Sequence, residues 1–292
     1  MVFAGHYPNA INPIDASKAG QKSFEHAHLF FTHANPYADQ LREYYRRYYS
    51  DDETASEIEP SDKEMFESFD LDMFYELVDV MIENETYYCP THVTRRYEAN
   101  AGNEAFTSDP NVKYIPPIAL MIWKEDKAGM VEYMAKEDNE KHLEAYYLKG
   151  IELTGLAHER GLNIIEGTDC YDPYSFPGIT LHTELNEMVK GGLTPAEALQ
   201  TATVNAAEYF DVLDDYGTVE VNKIADLLIL DKNPLENIEN TRSIQYLFFN
   251  GDKYDKEDLN QIKHYVEDNA SGFKGLSISV KMLARMASDN RH

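Results

Sequence analysis

The chain has 292 residues, enough for one large domain or two smaller ones, and its 43% of hydrophobic residues can fill a core. With 52 acidic against 26 basic side chains, its formal net charge of −26 excludes nucleic acid and anionic membrane as partners, because both repel such a surface. Two cysteines give no disulfide framework; no signal peptide is visible, and no apolar run approaches the roughly 20 residues that span a bilayer.

In chain order, Met1-Val2-Phe3-Ala4-Gly5-His6 reads as the last residues of a strand. A short helical segment around Ile14–Ala19 ends at Gly20, and Ser23-Phe24-Glu25-His26 reads as the next strand, so the opening is a compact β–α–β unit. Residues 36–86 are acidic and tyrosine-rich and read as an insertion. Within it, the capping box Ser61–Glu64 and the spacing of Phe66, Phe69, Met73, Leu77 and Met81 predict a helix over 62–85. Thr86–Val93 reads as a strand, Pro116-Pro117 as a loop, and residues 138–160 as a helix stopped by Gly161. Leu162–Gly167 is the clearest buried strand. Thr194-Pro195-Ala196-Glu197 opens a helix to about Tyr209, with threonine at N-cap, proline at N1 and glutamate at N3. Extended segments near Thr218–Val221, Asp226–Asp231 and Gln245–Asn250 suggest a small β domain, and the tail holds an amphipathic pattern at Ile278, Met282, Leu283 and Met286.

Three residues stand at the ends of strand-like runs: His6, His26 and Asp169. In a parallel α/β barrel such positions project onto one catalytic face. Two imidazoles on adjacent strands form part of a site for a divalent metal such as zinc, and a third-strand carboxylate completes it or accepts a proton. Taken singly, a Gly-His or Glu-His pair is more often the mark of an ordinary strand-end histidine than of a metal ligand. Cys170, beside Asp169, reads as a small apolar filler.

These blocks resemble metal-dependent amidohydrolases of the imidazolonepropionase-like and prolidase-like branch. Gly5-His6-Tyr7-Pro8 resembles the family's strand-5 block, Gly20-Gln21-Lys22-Ser23-Phe24-Glu25-His26 its strand-6 block, and Gly167-Thr168-Asp169 its strand-8 block. Leu181-His182-Thr183-Glu184-Leu185, Gly192-Leu193-Thr194-Pro195 and Lys223-Ile224-Ala225-Asp226-Leu227 follow in the family's order. The resemblance implies an α/β fold: the C-terminal half of a (β/α)8 TIM-type barrel over 1–210, part of a small β-sandwich over 211–267, and a tail over 268–292. It implies a hydrolase acting on non-peptide or dipeptide carbon–nitrogen bonds of a small-molecule substrate. His6, His26 and Asp169 would hold a divalent metal, Zn2+ first among them, and Asp169 would be the catalytic base. His182 would either face the substrate or serve in helix N-capping or packing, Glu184 would sit in a helix first turn, and His28 and His33 would be surface or supporting residues.

The family's opening His-x-His is read as having no counterpart, and neither is its strand-4 lysine or glutamate. That reading implies a truncated product, a split subunit or a miscalled start, with self-association or a partner that supplies the other barrel half. The alternative is an inactive remnant or a non-enzymatic interaction protein on the same scaffold.

Overall fold

The computed structural model describes residues 3–26, 28–136 and 138–271, together with 274, 275, 277 and 281. They form two compact units, each assembled from separated stretches. The first takes residues through His92, Glu144–Gly167 and Glu184–Glu220; the second takes Val93–Leu143, Thr168–Thr183 and the chain from Val221 onward. Among the described residues, no helix is long and apolar enough to cross a membrane.

In the first unit, β1 (Ser23–Glu25) and β2 (Tyr87–Cys89) pair in parallel, with Ser23 opposite Tyr87. Parallel bridges extend the pair on both sides, from Ala4 to Ser23 and from Ile164 to Tyr88. The four positions therefore lie side by side in chain order with helices between them, the winding of an α/β unit. The strand expected at 162–167 narrows to that one bridge. It is held where the Tyr88 N–H donates to Asn163 O and the Ile165 N–H to Tyr88 O, both at 2.9 Å.

Alternation along the strands sorts the side chains onto two faces. Phe24, Tyr88 and Ile164 are buried, and Tyr88 meets Phe30, whose ring in turn lies 4.8 Å from that of Phe74. Helix Leu71–Glu83 buries Phe74, Leu77, Val78 and Met81 in this core. Each such fully buried side chain contributes about 1.5–3 kcal/mol. The other face gathers Tyr87, Cys89, Ile165 and Tyr209, with Ser23 Oγ 3.0 Å from the Tyr209 hydroxyl. Gly167 has to be glycine here, because a Cβ would run into Cys89 Sγ.

The single helix expected over 62–85 is two, Asp62–Glu67 and Leu71–Glu83. The Asp70 carboxylate accepts from the Asp72 and Met73 N–H groups and restarts the helix, an N-cap that breaks the run. The helix after Thr194 also divides, into Pro195–Thr201 and Val204–Tyr209.

In the second unit, Pro116-Pro117 starts a helix where a loop was expected. Pro117 is the first residue of Pro117–Met134, a position where its missing N–H costs nothing. Ile115, Ala119 and Trp123 of this region pack with Phe176. The strands β3 (Leu227–Leu230), β4 (Ile244–Phe249) and β5 (Asp252–Tyr254) form an antiparallel sheet in that order. Thr218–Val221, expected to be extended, forms no strand. A helix that the sequence reading did not anticipate follows, Lys256–Ala270, capped by Asp255. The tail pattern at Ile278, Met282, Leu283 and Met286 lies outside the described residues. The chain is thus a mixed α/β fold, rich in helix. Among the described residues the parallel strands do not close into a barrel, and the antiparallel part is one sheet with no facing partner that would make it a sandwich.

Candidate metal centre

His6 and His26 meet because their strands do. Lys22 N–H donates to Phe3 O at 2.7 Å, and the Gln21 side chain donates to Gly5 O at 2.7 Å, which pins the chain just before His6. His26 directly follows β1, and its N–H donates to Cys89 O at 2.8 Å. Its φ of 68° puts a non-glycine residue in the left-handed region, at a cost of about 1–2 kcal/mol that the neighbouring strand must hold down. The two Nε2 atoms lie 2.5 Å apart, with ring centroids at 4.4 Å and planes at 85°. On the far side of the His26 ring, Nδ1 is 2.6 Å from Thr91 Oγ1. A hydrogen bond at one ring nitrogen fixes the tautomer and aims the other.

At 2.5 Å the two Nε2 atoms stand at hydrogen-bond distance, closer than the roughly 3.3 Å between two nitrogens that share a tetrahedral zinc at about 2.0–2.1 Å, so the two imidazoles are donors of the type such an ion takes but would have to part to admit it; one ring is oriented from behind. His28 adds a third ring to the cluster, stacked 5.7 Å from His26 and edge-on 6.0 Å from His6. His33 is buried rather than on the surface, and burial pushes its imidazole down to about 4. Among the described residues, no group of three or more His, Cys, Asp or Glu side chains is arranged to hold a metal.

Asp169 belongs to the second unit, two residues beyond Gly167, with a φ of 47°. Its carbonyl accepts from the Asp172 N–H at 2.8 Å, and Ser175 Oγ donates to Thr168 O at 2.6 Å, closing the loop. Asp172, which the sequence reading missed, is pushed up to about 6 by burial and then by the charge of Asp169, with Arg95 opposing. Cys170 is exposed, not a packed filler, and its Sγ lies 3.1 Å from Thr168 Oγ1.

His182 also lies in the second unit, where Nδ1 is 2.9 Å from Thr241 Oγ1 and the ring lines a cavity of about 670 Å3. Burial lowers its pKa, and the Arg242 charge lowers it further. Glu184 is in a helix first turn, as expected, but it is fully buried, and its carboxylate accepts from the His92 N–H at 2.9 Å. It caps the helix His92–Asn100 from outside. His92 itself is pushed down to about 3 by burial.

The amidohydrolase family model matches residues 85–253. An imidazolonepropionase of Brevibacillus brevis is 40% identical over 74 residues, which are 25% of this chain and 17% of that protein. One of Geobacillus sp. (strain WCH70) is 38% identical over 74 residues, with the same coverage. Among solved structures, a bottromycin amidohydrolase has a TM-score of 0.64 at 19% identity, covering 93% of this chain and 54% of its own. A Xaa-Pro dipeptidase with bound methionine has a TM-score of 0.54 at 23% identity, covering 87% of this chain and 45% of its own. The chain spans about half the length of these structures, and at such identities they show the fold alone.

Proposed function

Since the chain belongs to the amidohydrolase family, we propose that it hydrolyses a carbon–nitrogen bond, non-peptide or dipeptide, in a small-molecule substrate. The observation that supports the reading is that the strand ends bring the His6 and His26 rings together, with Thr91 behind one of them. In this reading the pair holds a divalent metal, with zinc the first choice for imidazole donors. When bound, such an ion supplies Lewis acidity at that point. Asp169 would take a proton from the attacking water as the water oxygen bonds to the substrate carbon, and return it to the leaving nitrogen as the carbon–nitrogen bond breaks, acting as general base and then general acid. The short turn from Asp169 O to the Asp172 N–H sets the backbone from which that carboxylate projects. His182, with Nδ1 occupied by Thr241, presents its remaining ring nitrogen to substrate.

The test begins with metal. The purified chain should retain zinc by elemental analysis after dialysis, and His6→Ala with His26→Ala should lose it. Unchanged zinc in the double variant overturns the ligand assignment. On any N-acyl amino acid, cyclic amide or Xaa-Pro dipeptide that is turned over, Asp169→Asn should slow turnover by about 10²-fold or more while zinc content stays as it was.

A further inference from the structure

The 670 Å3 cavity of the second unit has a chemistry of its own. Its walls are apolar, with Phe176, Ile179, Ile244 and Ile262 among them. Among the described residues its charged lining groups are both cations, Arg242 and Lys263, and no Asp or Glu contributes to the lining. In a chain with twice as many acidic as basic side chains, 52 against 26, a cleft that shows only cations is the reverse of the molecule's average surface.

The two cations differ. Arg242 is fixed in place: Nη2 donates to Thr183 Oγ1 at 2.9 Å, and Nε donates to Glu239 at 3.0 Å, which balances its charge. Lys263, exposed on its helix, forms no ion pair among the described residues, since Glu267 one turn on is taken by Lys113. One cation without an ion pair, beside an apolar lining, matches one negative charge on an apolar body. A dianion would carry a second, unbalanced charge into the field of a molecule at −26.

We propose that this cavity binds a small organic monoanion, a carboxylate on an aliphatic or aromatic body, with the carboxylate at Lys263 and Arg242 and the body against Phe176 and the three isoleucines. His182, which the hydrolase reading turns toward substrate, lines this same cavity, but the proposal needs neither metal nor turnover and its test reads binding alone.

The protein carries its own reporter. Its one tryptophan, Trp123, donates from Nε1 to Tyr171 O at 3.1 Å and packs edge-on against Phe176 at 5.7 Å. Both Tyr171 and Phe176 line the cavity. Octanoate is the probe, titrated into the full chain by calorimetry with tryptophan emission followed in parallel. Octanamide, of the same length but neutral, is the control. Octanoate should bind with a Kd of about 1 mM or tighter and shift the Trp123 emission, while octanamide binds at least about tenfold more weakly. Lys263 lies on an exposed face of its helix, so Lys263→Glu should keep the fold by circular dichroism and weaken octanoate by about tenfold or more. Lys263→Gln, expected to weaken it less, stands in if the charge reversal perturbs folding. Octanamide binding as tightly as octanoate, octanoate failing to bind at about 10 mM, or a folded Lys263 variant with parental affinity would each overturn the proposal.

Discussion

Three residues before Asp169, the Glu166 carboxyl is buried with no hydrogen-bond partner for Oε1 among the described residues, and burial pushes it up from 4.5 to about 7. The folded state therefore keeps a proton on Glu166 that the unfolded chain releases from about 4.5 upward. Its contribution to stability is full below that value and is lost as pH rises toward 7. Glu166→Gln keeps the shape without the titration. Its melting temperature relative to the parent should be near zero or lower at pH 5 and clearly higher at pH 8. A difference that does not change with pH would show that Glu166 is not protonated in the fold. At this scale, the meeting of His6 and His26 was legible because each ends a strand-like run, and strand ends converge on one face. Asp172 was not, because Glu98 and Asp126, which help to raise it, come from a stretch with few sequence patterns, more than 40 residues away along the chain.

Helix ends were read better than helix lengths. The capping boxes at Ser61–Glu64 and Thr194–Glu197 both form, because they need only residues three apart. Helix Pro117–Met134 escaped because only Ile118, Ala119 and Trp123 are buried along it, which leaves no apolar stripe to recognise. The cap on His92–Asn100 could not be read locally at all. Its acceptor, Glu184, lies on another helix, and the bond closes across 92 residues of chain. Glu184→Ala should strand the buried His92 N–H and cost about 1–3 kcal/mol, read as a lower urea midpoint at pH 7. Glu184→Gln, which retains an acceptor oxygen, should recover a good part of that loss. Equal destabilisation by both variants would mean that the carboxylate's charge, rather than the hydrogen bond, is what matters.

The whole chain sets two opposing forces on association. Its outer parallel positions, Ala4 and Ile164, each bridge one neighbour among the described residues, and such edges template further pairing. The β3–β5 sheet adds exposed Leu228, Ile229 and Phe249, apolar surface that would be better covered. Against both stands a net charge of −26, which drives copies apart. Salt decides between them, because the Debye length shrinks from about 30 Å at 0.01 M to about 3 Å at 1 M while apolar contact and strand pairing are unscreened. We therefore expect self-association that grows with salt. Multi-angle light scattering should give a mass near that of one chain in 10 mM NaCl, with dimers or larger species in 1 M NaCl. Sodium chloride should act through ionic strength, so potassium chloride at equal concentration should give the same curve. A sharp monomer across the whole range, with one cooperative thermal transition, would show that these edges and faces are already satisfied within a single chain.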